Sequence, residues 1–126
     1  MKLSPNQTDE KTLARFGAEA VALVASRNFT ALAERFGYAL AYDRNVAQAI
    51  EEDFEQCLSE AEEPSSQNSP SIQVKYFKPN DIPLYALVEC ITPIGQGSTV
   101  LIELIVTGVD GQEKHITLEQ ISYAAK

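Results

Sequence analysis

Between Ser98 and Gly108 the polar and apolar positions follow a period of two. Val100, Ile102, Leu104 and Val106 share one side. Thr99, Leu101, Glu103, Ile105 and Thr107 share the other, because successive side chains of a strand point to opposite faces. One side is entirely aliphatic and the other is mostly so, with a single carboxylate. A strand of this composition belongs inside a sheet, since as a free edge it would template aggregation.

Upstream the period changes to that of a helix. Leu13, Phe16, Ala20, Val21 and Val24 recur at helical spacing after Thr8, Asp9 and Glu10, a hydroxyl cap followed by carboxylates that suit a helix N-terminus. The pattern predicts a first helix to about Arg27 with Asn28 as its C-terminal cap. A short second helix is expected from a Thr30 cap through Leu32, Ala33 and Phe36, stopped by Gly37. A third, capped by Asp43, buries Val46, Ile50, Phe54, Cys57, Leu58 and Ala61. It exposes Glu51, Glu52, Asp53, Glu55, Glu60, Glu62 and Glu63, with no cation after Arg44. Charge runs of this kind are usually solvated; a docking surface for a basic partner is the sharper alternative.

Glu63 to Pro70 is a polar connector rich in Pro and Ser. Four strands are expected beyond it: Ile72–Lys78, Leu84–Thr92, Ser98–Thr107 and Gln112 to about Ile121. Their short links make them antiparallel neighbours. A three-residue turn, Val109-Asp110-Gly111, would pair Val106 with Lys114, Leu104 with Ile116 and Ile102 with Leu118, and it keeps the faces unmixed. The same logic pairs Thr92 with Ser98 and Cys90 with Val100. The fold class expected is α+β, three N-terminal helices packed on a four-stranded antiparallel meander sheet. Residues 1–126 are expected to form a single domain, with helices over about 8–63 and strands over about 72–121.

One sheet face is then fully apolar and must lie under the helices. The other gathers Tyr85, Leu87, Glu89, Leu101, Glu103, Ile105 and His115, too apolar for a solvated surface and too charged for a core. That mixture predicts a protein interface or a ligand floor. A homodimer or a protein partner is the expected occupant.

Composition narrows the alternatives. A chain of 126 residues with 44% hydrophobic content holds one real core, and its formal net charge of −8 lacks the basic footprint of a nucleic-acid binder. The first residues carry no signal-peptide core and no run reaches membrane-spanning length, so a cytoplasmic protein is expected. Cys57 and Cys90 fall in apolar patterns and read as small buried hydrophobes.

Chemistry is thin. No phosphate loop, nucleophile elbow or Cys/His metal spacing is present, so no catalytic residue, metal or cofactor is assigned. His115, Glu103 and Tyr85 on one face form a titratable trio, but a lone strand histidine among carboxylates is more often surface. Tyr38, Tyr42 and Phe54 are the candidate pocket residues for a small-molecule ligand, with buried tyrosines that satisfy their hydroxyl as the commoner alternative.

The helical opening, the step Arg27-Asn-Phe-Thr-Ala-Leu32 and the following meander resemble small domains of the nuclear transport factor two-like and cystatin-like folds. The segment Ser98–Gly111 is also similar to the end of small uncharacterised bacterial domains. The likeness covers most of the chain. A transport-factor-like fold implies a conical pocket between helix and sheet and dimers through the sheet's outer face. Catalytic members place Asp, Tyr or His inside the pocket. Here the inward face is apolar apart from Lys114, which argues against catalysis. Three functions are therefore carried forward: a noncatalytic domain that self-associates or binds a protein, a pocket for a small molecule, and an acidic inhibitor or immunity-like protein acting through the third helix.

Overall fold

The computed structural model describes residues 1–60, 69–78, 83–94, 98–108 and 113–123. Three helices, α1 (Glu10–Ala25), α2 (Phe29–Phe36) and α3 (Val46–Glu60), precede the main strands β2 (Ser71–Tyr76), β3 (Leu84–Ile94), β4 (Ser98–Thr107) and β5 (Lys114–Tyr123). A further two-residue strand, β1 (Lys2–Leu3), opens the chain, and the sheet runs β1-β5-β4-β3-β2 with every pair antiparallel.

Among the described residues the sheet therefore has five strands, not the four expected. The meander accounts for β2 to β5, and β1 adds to the outer edge of β5 through Lys2 opposite His115 and Leu3 opposite Lys114. Two residues are too few to show a period. What anchors them is burial of Leu3, 1% exposed, and the Ile116 N–H donating to the Met1 carbonyl at 2.9 Å.

The helix caps move by one or two positions. Asp9, not Thr8, caps α1 by accepting from the Thr12 N–H at 3.1 Å. Asn28 caps the start of α2 through its side chain and does not end α1. Ser26 caps the end of α1 instead, and Arg27 follows it at φ +56°, a left-handed conformation that glycine or asparagine would adopt more easily. Its guanidinium lies 5.1 Å from the Phe54 ring centre and pairs with Glu55. Asn45, not Asp43, caps α3 by accepting from the Gln48 N–H at 3.0 Å. Ala61, Glu62 and Glu63 lie outside the described residues, as does most of the Pro/Ser connector.

The β3–β4 register is shifted by two residues from Ala86 onward. The β4–β5 register is shifted by two from Leu104 to Thr107 and by three beyond an irregularity at Glu103, where Ile102 faces Ile121 and not Leu118. Cys90 faces Ile102 and Val88 faces Leu104. Val106 faces Ile116 and Leu104 faces Leu118. A shift of two preserves the faces, so the inner face keeps Ala86, Val88, Cys90, Val100, Ile102, Leu104, Val106, Ile116 and Leu118, each at 0% exposure. The shift of three beyond Glu103 turns Ile121 inward beside them. The turn residues Val109, Asp110 and Gly111 fall outside the described residues. β3 runs on through Pro93 to Ile94, which is tolerated because β2 reaches no further than Ile91 and leaves that side of Pro93 without a ladder partner.

All three helices pack on this inner face, α1 over β2 and β3, α3 over β4 and β5, and α2 against α3, α1 and β5. α1 sits so close that a Cβ on Gly17 would stand 2.9 Å from both Cys90 Sγ and Val88 Cγ1. Alanine is the better helix former by about 1 kcal/mol. Overpacking a buried contact costs about 1–3 kcal/mol. Gly17→Ala is therefore expected to lower stability by about 1 kcal/mol in denaturant melts. A gain would show that α1 lifts off the sheet freely.

Candidate functional site

Because Ile102 and Leu104 are fully buried, Leu101, Glu103 and Ile105 turn to the side of the sheet away from the helices. Three rows cross that side. Leu87, Ile105 and Thr117 form one. Glu89, Glu103 and Gln120 form the next, and Ile91, Leu101 and Ser122 the third. An acidic row thus runs between two largely aliphatic ones. Their side chains are partly exposed, none belongs to the core cluster, and no described element packs over them.

Glu89 and Glu103 are direct cross-strand partners, an arrangement that like charges make unfavourable. Lys75 on β2 forms an ion pair with Glu89. Glu119 adds a further negative charge beside Glu103, where an irregularity in β5 leaves it extra to the register. Burial, then Glu89 and Glu119, push the Glu103 carboxyl above its ordinary value, with Lys75 pulling the other way.

A carboxyl raised in the folded state supports folding below its ordinary value of 4.5 and loses that support as pH rises through the raised value. Glu103→Gln is therefore expected to stabilise the fold by about 0.5–1 kcal/mol near pH 7. Melts of the two proteins should converge at about pH 4. An equal gap at both values would rule out charge as the cause.

Of the expected interface residues, Leu87, Glu89, Leu101, Glu103 and Ile105 come together on this face. Tyr85 leaves it. A bulge between Leu84 and Ala86 turns Tyr85 onto the core, where its ring meets Tyr76 edge-on at 5.6 Å and Lys114 Nζ at 4.5 Å. His115 is exposed, between Lys2 of β1 and Thr107 of β4, one row beyond Ile105. The trio of Tyr85, Glu103 and His115 is not assembled.

The expected pocket residues also separate. Phe54 is fully buried, tilted against Phe29 at 5.4 Å. Tyr42 is 81% exposed, at φ +53°. Tyr38 alone lines a cleft of about 300 Å³, between the segment after α2, α3 and the last residues of β5. Asp53, Gln56, Cys57, Ser122 and Tyr123 complete much of its wall. The Tyr38 hydroxyl donates to Asp53 Oδ2 at 2.5 Å, and Arg44 donates to Asp53 Oδ1 at 3.1 Å and to the Leu40 carbonyl at 2.7 Å.

The sequence reading missed this network because it counted Asp53 among the solvated acids of the third helix. The available signal was Arg44, the last cation before that acidic run. Burial raises the Asp53 carboxyl, but hydrogen bonds from Arg44 and Tyr38 outweigh it and hold the group below its usual range. Burial, then the Asp53 hydrogen bond and charge, drives the Tyr38 phenol well above its ordinary value. A phenol so held is a poor general base, and the carboxylate is already engaged by two donors. Burial, with a smaller contribution from Glu89, pushes the Cys90 thiol up to about 12, so it is not primed as a nucleophile.

Among the described residues no group of three or more His, Cys, Asp or Glu is arranged to hold a metal ion, and no helix is long and apolar enough to cross a membrane. Comparison with known protein families, with curated proteins and with solved structures finds no match to this chain.

Proposed function

We propose that the chain is a noncatalytic binding domain whose working surface is the helix-free face of the sheet, occupied by a second copy or by a protein partner. One observation carries the reading: Leu87, Ile91, Leu101 and Ile105 lie together on a sheet face that no described element covers. Aliphatic rows flanking a polar one are the make-up of an interface centre, where apolar contact supplies affinity and charge supplies selection. The reading sets the protein in the cytoplasm, where buried thiols such as Cys57 and Cys90 stay reduced.

Ile105→Lys tests it. The substitution sits outside the core, so the thermal midpoint should stay within a few degrees of the parent. Light scattering over a concentration series and co-purification should show the parent taking up a second chain, its own or a partner's, that the variant loses. Identical mass and identical partners for both proteins would sink the reading.

A second reading, a small-molecule site similar to that of transport-factor-like domains, rests on the cleft beside Tyr38. Its volume of about 300 Å³ suits a small polar ligand. A ligand that raises the melting point of the parent but not of Gln56→Trp would move the assignment there.

A further inference from the structure

The rows on the helix-free face have a polarity that separates the two occupants just named, and the argument rests on that face being the working surface. Along the strands the order is aliphatic (Leu87, Ile105), acidic (Glu89, Glu103, with Glu119 beside them), aliphatic (Ile91, Leu101). Alternate residues of a strand rise by about 7 Å, so each aliphatic row lies that far from the acidic one. Among the described residues Lys75 is the cation that reaches the row, and it is paired with Glu89.

A two-fold packing of this face on itself either stacks carboxylate on carboxylate or seats carboxylates on an aliphatic row. Both bury the Glu103 charge, which no described cation pairs, at a cost that apolar contact must first overcome. The chain as a whole carries a formal charge of −8, which adds to the repulsion between copies.

We infer that the occupant is not a second copy but a different protein that presents a basic row between two aliphatic rows. A sheet face reading Leu-x-Arg-x-Leu along its strands has that shape, because alternate residues repeat at the same spacing of about 7 Å. Its guanidinium groups meet Glu89 and Glu103, with Glu119 at the flank. Its aliphatic side chains meet Leu87 and Ile105 on one side and Ile91 and Leu101 on the other. Arginine suits the position because its planar fork satisfies a carboxylate through two hydrogen bonds.

The test uses two cyclised β-hairpin peptides that differ only in the central residue of one face, Leu-x-Arg-x-Leu against Leu-x-Glu-x-Leu, titrated onto the full chain. The arginine hairpin is expected to bind at least tenfold more tightly than the glutamate hairpin. Glu89→Gln combined with Glu103→Gln removes that preference, and the double variant stays folded because it relieves a like-charge pair. Glu51→Gln combined with Glu52→Gln removes as much charge from α3 and is expected to change arginine-hairpin binding less than threefold. Equal losses from the two double variants would reduce the effect to net charge and overturn the inference, as would a loss confined to the α3 variant. Equal binding of both hairpins, or a neutral-pH homodimer that Ile105→Lys dissolves, would also overturn it while leaving the face as the working surface. No hairpin binding, together with no association sensitive to Ile105→Lys, would remove both readings.

Discussion

Leu104→Asp is expected to abolish folding. Leu104 lies in β4, flanked by Val88 of β3 and Leu118 of β5, and all three are at 0% exposure beneath the helices. Truncating a buried leucine costs about 2–5 kcal/mol. An unpaired carboxylate in the same place adds several more, since no described cation lines that face near it and water cannot reach it. The sum is comparable to the whole stability of a domain this size, about 5–15 kcal/mol. Circular dichroism of the purified variant should show an unfolded chain, or expression should yield only aggregate. Leu104→Met, which keeps the volume, should cost less than about 1.5 kcal/mol and melt cooperatively. A soluble Leu104→Asp protein with a cooperative melt would mean that β4 is not the centre of the core.

That expectation is the same whether drawn from the sequence or from the structure, and the reason is physical. The period of two in Val100, Ile102, Leu104 and Val106 fixes which side of β4 is buried. A register shift of two residues, found along β3 from Ala86 and between β4 and β5 from Leu104 to Thr107, changes cross-strand partners without changing faces. Past Glu103 the shift is three and turns Ile121 inward. Partners depend on loop length, and neither loop announced its length: Pro93 reads as a terminator, yet β3 continues through it where β2 no longer runs alongside. Irregularities were equally hidden. The bulge before Ala86 takes Tyr85 off the outer face, and the one beside Glu103 leaves Glu119 extra. Neither position carries a glycine or any other local mark. β1 escaped because two residues show no period, and its pairing is supplied by the β5 edge.

The sheet-face candidates stay together in the fold and the pocket candidates do not, for a related reason. Leu87, Glu89, Leu101, Glu103 and Ile105 share a face by alternation alone, which pattern reveals. Tyr38, Tyr42 and Phe54 were joined only by nearness in sequence and aromatic character. Tyr42 and Phe54 end at opposite extremes of exposure, 81% and 0%. Residues of a helix and of the segment leading into it meet through tertiary packing, which has no signature in a run of side chains.

The Tyr38–Asp53–Arg44 network holds that segment against α3, and Asp53→Ala is expected to loosen it. Tyr38 is 7% exposed, so losing its acceptor leaves a hydroxyl with little access to water. An unsatisfied buried group costs about 1–3 kcal/mol. The charge-assisted bonds that Asp53 accepts are themselves among the stronger kind. Together the substitution should lower stability by about 2–3 kcal/mol and the melting point by roughly 10 °C for a domain of this length. Tyr38→Phe removes the donor and leaves the Arg44 bonds to Asp53, so it should cost only about 1 kcal/mol. Asp53→Asn isolates the charge and gives the pH dependence its sign. A carboxyl held below its ordinary value of 3.8 contributes fully above that value and loses the contribution as pH falls through the folded one. The gap between the parent and Asp53→Asn should therefore be flat through neutral pH and narrow in acid. Tyr38, raised in the fold, contributes below its ordinary value of 10.0 and loses that as alkali ionises it. Melts across this range test both ends. A gap that widens in acid would mean that Asp53 is not held by Arg44 and Tyr38 in solution. The cleft beside them would then have a free carboxylate to offer a cationic ligand.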